Sequence, residues 1–148
     1  MITSLNFYSL KLVREKTEKY ETEKNITKKE TLKEIALLLN LQEEPEEVFV
    51  ILTVNTKHRV VGVFEVSRGS LAATLIHPRE VFKRALLDNA SGIFCIHNHP
   101  SGDVTPSSED IAATERLKDA GEILGIGLID HLIAGENGCY SFKENGMI

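Results

Sequence analysis

The chain predicts a single domain of the α/β or α+β class, with helices laid against a mixed β-sheet. Three observations lead there. Short apolar, β-branched runs at Val48–Val54, Val60–Val66 and Gly92–Ile96 alternate with stretches whose apolar residues recur at helical spacing. Tight turns between some runs favour antiparallel neighbours. A length of 148 residues is enough for one sizeable core, and no internal repeat divides it.

Taken in order, Ile2 to Val13 alternate loosely (Leu5, Phe7, Ser9, Lys11, Val13) and predict a strand. Arg14 to Lys24 carry mixed charge with little to bury, which predicts a solvated loop or mobile hairpin. Thr27 and Glu30 form a capping-box pair, and Leu32, Ile35, Ala36 and Leu39 continue it as a helix to about Asn40. Residues 1–45 are thus a strand, a charged loop and a helix of the same domain, and 46–148 form its core. The run Glu43-Glu44-Pro45-Glu46-Glu47 breaks the chain before a central strand, Val48–Val54. Asn55–His58 is a hairpin turn into the strand Val60–Val66. His77-Pro78 opens a second helix, since proline suits the first helical turn, with Val81, Phe82, Ala85 and Leu86 on one face. Gly92–Ile96 is a short apolar strand with His97 at its end. Ser107 begins a third helix, with Ile111, Leu117, Ala120 and Leu124 on its buried side, ended by Gly125 and Gly127. Ile126–Ala134 and Cys139–Phe142 are the last strands, joined by a turn at Glu136-Asn137-Gly138.

The net charge of −5 gives no global attraction for nucleic acid, although a local basic patch stays open. Two cysteines, Cys95 and Cys139, are too few for a disulfide framework. Cys95 lies in an apolar run and reads as a buried thiol; the alternative is a fourth metal ligand on the parity of His97. No leader segment or run of membrane-spanning length is legible, so a cytoplasmic, reducing location without a membrane partner is the expectation.

Chemistry concentrates in His97-Asn98-His99-Pro100-Ser101-Gly102-Asp103-Val104-Thr105-Pro106-Ser107-Ser108-Glu109-Asp110. On an extended backbone His97 and His99 point to one side, with Asn98 opposite. Pro100 turns the chain into a Gly- and Pro-containing loop. Ser107 and Asp110 then fall three apart at a helix start, on neighbouring positions of one face. Taken alone, that pair reads as an N-cap. Joined to the histidines it completes two imidazoles and a carboxylate, a zinc-ligand set with the fourth position left for water. Capping and ligation are compatible in one residue.

A hydrolase also needs a base. Glu65 lies on the parity of Val61 and Val63, in a strand that reads as buried on both faces. Two readings stand: a functional carboxylate with raised pKa, or a strand-end glutamate escaping to solvent ahead of Ser67 and Arg68. His77 reads as a helix cap and His58 as a solvated turn residue. Asp130 and His131 are either a satisfied core pair or a support for a ligand imidazole. Arg68 is a partner for a substrate carboxylate or for a surface acid. Ser101 and Asp103 are candidates to line the cleft.

His97-x-His99-Pro100, followed after Pro106 by Ser107-x-x-Asp110, resembles the JAMM signature of JAB/MPN+ metalloproteins. Phe64-Glu65, Arg68-Gly69, His77-Pro78-Arg79-Glu80, His97 through Asp103 and Asp130-His131-Leu132 resemble the RadC-like branch, over about Val48–Phe142. The resemblance implies a cytidine-deaminase-like α/β/α fold (the JAB/MPN fold), a bound Zn2+ and metallopeptidase chemistry on a peptide or isopeptide bond. By it His97, His99 and Asp110 are the zinc ligands, Glu65 is the base that takes a proton from the zinc-activated water, and Ser107 helps hold the oxyanion. RadC-like proteins commonly carry an N-terminal helix-hairpin-helix segment, which the first 45 residues do not resemble. Three rivals accompany this reading. A DNA repair-associated protein would show salt-sensitive binding to nucleic acid; a non-catalytic scaffold would use zinc only to hold its fold. A zinc deaminase is set aside, because neither His-x-Glu nor Pro-Cys-x-x-Cys occurs.

Overall fold

A computed structural model of the chain describes residues 4–21, 25–69 and 76–148. Its elements, in order, are α1 (Lys29–Leu38), a 3-10 turn (Leu41–Glu43), β1 (Glu47–Val54), β2 (Val60–Gly69), α2 (Pro78–Leu87), β3 (Gly92–Asn98), α3 (Ser108–Leu124), β4 (Gly127–Gly135) and β5 (Gly138–Ser141). The strands form one sheet in the order β2-β1-β3-β4-β5. Every neighbouring pair is antiparallel except β3 and β4, which run parallel. Parallel neighbours need a long crossover, and α3 supplies it.

β1 and β3 are paired on both edges and covered on both faces, which is why Val48–Val54 and Gly92–Ile96 are apolar without alternation. On one face Val48, Val50, Leu52, Phe94 and Ile96 pack under Leu32, Ile35 and Ala36 of α1. On the other, Phe49, Ile51, Ile93 and Cys95 meet Val81, Phe82 and Ala85 of α2 and Leu117 of α3. The result is an α/β/α layering around a mixed sheet, the class expected from sequence.

Several local expectations are corrected. Residues 4–21 form no strand: Leu5, Phe7, Leu10 and Val13 stand largely exposed. An isolated strand has no partner for its amides, and this loose alternation reaches neither sheet edge. Ile2, Thr3 and the last part of the charged loop, 22–24, lie outside the described residues. α1 starts one residue late, with Lys28 as its extended N-cap and no side-chain cap bond. Glu30 therefore sits in the first turn as a charge favourable to the helix N-terminus rather than as a capping-box partner. His77 likewise occupies the N-cap of α2 without a side-chain cap bond. His58 takes a left-handed backbone in the hairpin turn and is half-buried, its ring edge against Phe94.

The largest correction concerns β2. Among the described residues it pairs only with β1, and Val60, Val61 and Val63 are 37%, 53% and 49% exposed, so the strand is an open edge and not a buried one. Its apolar appearance comes from Phe64 and Val66, which pack on the α2/α3 side.

Gly135 ends β4 where the loop after β3 crosses it. A Cβ there would lie 2.7 Å from the Gly102 carbonyl oxygen and 2.7 Å from a Val104 methyl. Gly135→Ala must push this loop outward, and a loss of about 1–3 kcal/mol in denaturant unfolding is expected. An unchanged midpoint would show that the loop yields freely.

Candidate metal centre

The end of β3 sorts alternate side chains to opposite faces, and the sorting is locked. Asn98, 1% exposed, donates from Nδ2 to the carbonyls of Glu46 (2.8 Å) and Glu44 (3.3 Å) and accepts at Oδ1 from the Val48 N–H (2.7 Å). With Asn98 committed to the α1 side, His97 is forced to the other. Its ring stacks on Phe49, centroids 5.8 Å apart at 14°, which β1–β3 register sets directly opposite. His99 follows on the same side, its own N–H bonded to the Ala134 carbonyl at 3.1 Å.

The loop then returns the chain to α3. Ser107 is the N-cap, and the capping box is complete. The Asp110 N–H donates to Ser107 Oγ (3.1 Å), while Asp110 Oδ2 accepts from the Ser107 N–H (2.8 Å). Gly125 closes the helix in the left-handed region at φ 70°, as the sequence suggested.

His97, His99 and Asp110 converge. The two imidazole Nε2 atoms lie 3.1 Å apart, Asp110 Oδ1 is 3.2 Å from His97 Nε2, and Asp110 Oδ2 is 3.2 Å from His99 Nε2. Among the described residues these three form the group able to hold a metal ion, and no fourth His, Cys, Asp or Glu joins them. Cys95 is fully buried among apolar side chains of the core, where burial pushes its thiol pKa up, so the fourth-ligand alternative is not supported.

The donor set fits a metal. Separations near 3.2 Å suit atoms each about 2.0 Å from a common centre. The tautomer agrees for His99: Nδ1 lies 2.6 Å from the Asp103 carbonyl oxygen. A carbonyl only accepts, so Nδ1 carries the hydrogen and Nε2 faces the cluster as a bare lone pair. Burial alone would raise the Asp110 carboxyl, but hydrogen bonds from the His97 and His99 imidazoles in their protonated form, and from the Ser107 N–H, outweigh it and hold Asp110 far below the usual carboxylate range. His99 is shifted up, chiefly by Asp110, against burial and with help from the Asp103 carbonyl and the charges of Asp110 and Glu47.

Glu65 is not brought to this cluster. It pairs across the sheet with Val50, on the α1 face, whereas His97 pairs with Phe49 on the opposite face. Its carboxylate is 48% exposed and accepts from Arg68 Nε at 2.9 Å; Arg68 also binds Glu44 at 2.6 Å. The burial expected of this carboxylate is absent because β2 is an edge. Arg68 thus has surface acids as partners.

An acid that sequence reasoning passed over lies on the correct face. Glu47 precedes Phe49 by two residues, and extending the Phe49–His97 register by two residues puts it across from His99. Asn98 grips the backbone on both sides of it, through Glu46 and Val48, and its charge is felt at His99. Within the acidic run it looked like a strand breaker. The usable signal was its parity with Phe49.

His131 is also at the site: its Nε2 is 2.8 Å from His97 Nδ1, and its ring is stacked on Phe142. It is 1% exposed, and burial shifts its pKa well down. Asp130 is committed elsewhere, accepting from the His131 and Lys143 N–H groups and from Ser141 Oγ. Asp103 shapes the loop through Thr105, and Ser101 Oγ accepts from the Asp103 N–H at 3.3 Å.

Equilibration with zinc followed by desalting should leave one metal per chain. Asp110→Asn should abolish that retention. Ser107→Ala should keep the metal while costing about 1 kcal/mol of stability as a lost cap. Metal retained by Asp110→Asn would remove Asp110 from the ligand set.

Comparison with known proteins agrees with this geometry. The RadC-like JAB domain family matches residues 26–147. A UPF0758 protein of Clostridium beijerinckii is 48% identical over 118 residues, covering 78% of this chain and 52% of that protein. One from Desulfitobacterium hafniense is 51% identical over 102 residues (69% and 45%), and one from Alkaliphilus metalliredigens is 50% identical over 103 (70% and 44%). The chain spans about half the length of these curated relatives. With most of its length matched and the His-His-Asp cluster assembled, the chain belongs to the RadC-like JAB domain family.

Proposed function

We propose that this domain is a zinc-dependent hydrolase acting on a peptide or isopeptide bond of a protein substrate. The observation that carries the reading is the convergence of three donors with no fourth protein ligand among the described residues. A closed structural site would hold four. The nitrogen and oxygen donors suit zinc. Asp110 and His99 are 12% and 15% exposed in their side chains, so the cluster opens to solvent on the side away from His97.

His97, His99 and Asp110 would hold the ion. Bound there, zinc supplies a lowered pKa for a water and polarisation of a carbonyl. Glu47 carries the proton: its carboxylate accepts it from the attacking water and returns it to the leaving amine. That assignment replaces Glu65, whose register and Arg68 pairing leave it on the other face. Ser107 already caps α3, its Oγ accepting from the Asp110 N–H. Turning its hydroxyl hydrogen toward a tetrahedral oxyanion gives it the stabilising role, worth roughly 3 kcal/mol of barrier for one such donor.

A peptide-library cleavage screen of the zinc-loaded chain tests this directly. Glu47→Gln should lower turnover by about 10²- to 10⁴-fold, the range for losing a general base, with metal content unchanged. Glu65→Gln should cleave as the wild type does. The reverse outcome would return the base role to Glu65, and metal loss in Glu47→Gln would make Glu47 a ligand. A loaded wild type that cleaves nothing in the library, yet unfolds when zinc is removed, would favour a zinc-stabilised scaffold.

A further inference from the structure

We propose that Thr114 and His131 are positioning residues that decide which nitrogen of His97 is bare, and thereby set the metal affinity of the site. The proposal rests on the reading that the His97–His99–Asp110 cluster holds a metal ion.

The argument is one of hydrogen counting. Thr114 Oγ1, on α3, donates its single hydrogen to the Asp110 carbonyl oxygen at 2.7 Å, one turn back along the helix. That oxygen only accepts, so the donor role of Thr114 is spent. Its Oγ1 also lies 2.7 Å from His131 Nδ1, and must be the acceptor there. His131 therefore carries its hydrogen on Nδ1. A neutral imidazole has only one N–H, so His131 Nε2 is bare. His97 Nδ1, 2.8 Å away, has to be the donor to it. The last consequence falls on the metal side: His97 Nε2 carries no hydrogen and offers its lone pair to the cluster.

The opposite order works against the site at a specific place. A hydrogen on His131 Nε2 would require Thr114 to turn its own hydrogen from the Asp110 carbonyl to His131 Nδ1. It would also put the His97 hydrogen on Nε2, pointing into the space the ion requires. His131 is 1% and Thr114 2% exposed, so water takes no part in the choice.

The relay also closes on itself. It starts at a ligand on β3, crosses β4 through His131, enters α3 at Thr114 and ends on the main chain of Asp110, the third ligand. Strand and helix are thus held at a fixed separation by the same bonds that set the tautomer. His99 needs no such relay, because the Asp103 carbonyl sets its tautomer locally.

The test uses the full chain. Long-range ¹H–¹⁵N NMR of the metal-free wild type at mildly alkaline pH should show the Nδ1–H tautomer for both His97 and His131. Zinc affinity is then measured by chelator competition for wild type, Thr114→Val and Thr114→Ser, with thermal melts to confirm folding. Thr114→Val should weaken zinc binding by about 10- to 100-fold, the usual effect of removing a partner of a ligating histidine. Thr114→Ser, which keeps the hydroxyl, should restore most of it. Wild-type affinity in Thr114→Val, an equal loss in the Ser and Val variants, or an Nε2–H tautomer at His97 would each overturn the relay. If wild type binds no zinc, the metal-site reading fails, and the tautomers still decide the relay on their own.

Discussion

The alternation of His97, Asn98 and His99 at the end of β3 is the constraint on which the rest of the structure depends. Asn98 satisfies its buried amide entirely on one side, against the backbone entering β1. An Asn left unsatisfied in that position would be costly, so the register of β1 on β3 cannot slip without breaking three hydrogen bonds. Two consequences follow from the same bonds. The imidazoles are delivered to the α3 side, and Glu47 is held between two gripped backbone groups on the face of Phe49.

Stability and chemistry share residues at the other half of the site. Asp110 completes the capping box of α3 and closes the triangle of candidate donors with the two imidazoles. Its carboxylate is drawn to the helix N-terminus by exposed N–H groups, which fixes its position before any ion is present. Gly135 makes room for the loop that connects the two halves. The cluster is therefore preorganised by elements with folding reasons of their own, and a metal would enter a geometry already formed.

The sequence exposed the fold class and the convergence of His97, His99 and Asp110 because both rest on local periodicity and fixed spacing. Val48–Val54 and Gly92–Ile96 read as doubly covered strands, and the Ser107–Asp110 spacing read as a helix start. What it hid were relations between distant segments. Val60–Val66 has the composition of a buried strand, but its place at the sheet edge is a matter of topology. The difference reversed the reading of Glu65. Glu47 looked like part of a charged break, and only the β1–β3 register shows which face it takes. Thr114 sits mid-helix without any sequence pattern pointing to it, and its partner His131 is 17 positions away. Leu5, Phe7 and Val13 alternate without a sheet edge to join, so periodicity alone overstated them as a strand.

The central claim is an ion gripped by His97, His99 and Asp110 with one side open to solvent. Zinc K-edge X-ray absorption on the loaded chain tests it most directly. The account predicts two imidazole nitrogens and oxygen donors at about 2.0 Å, one oxygen exchangeable with solvent, and no sulfur. A sulfur shell near about 2.3 Å, or a fourth protein donor filling the open side, would contradict it.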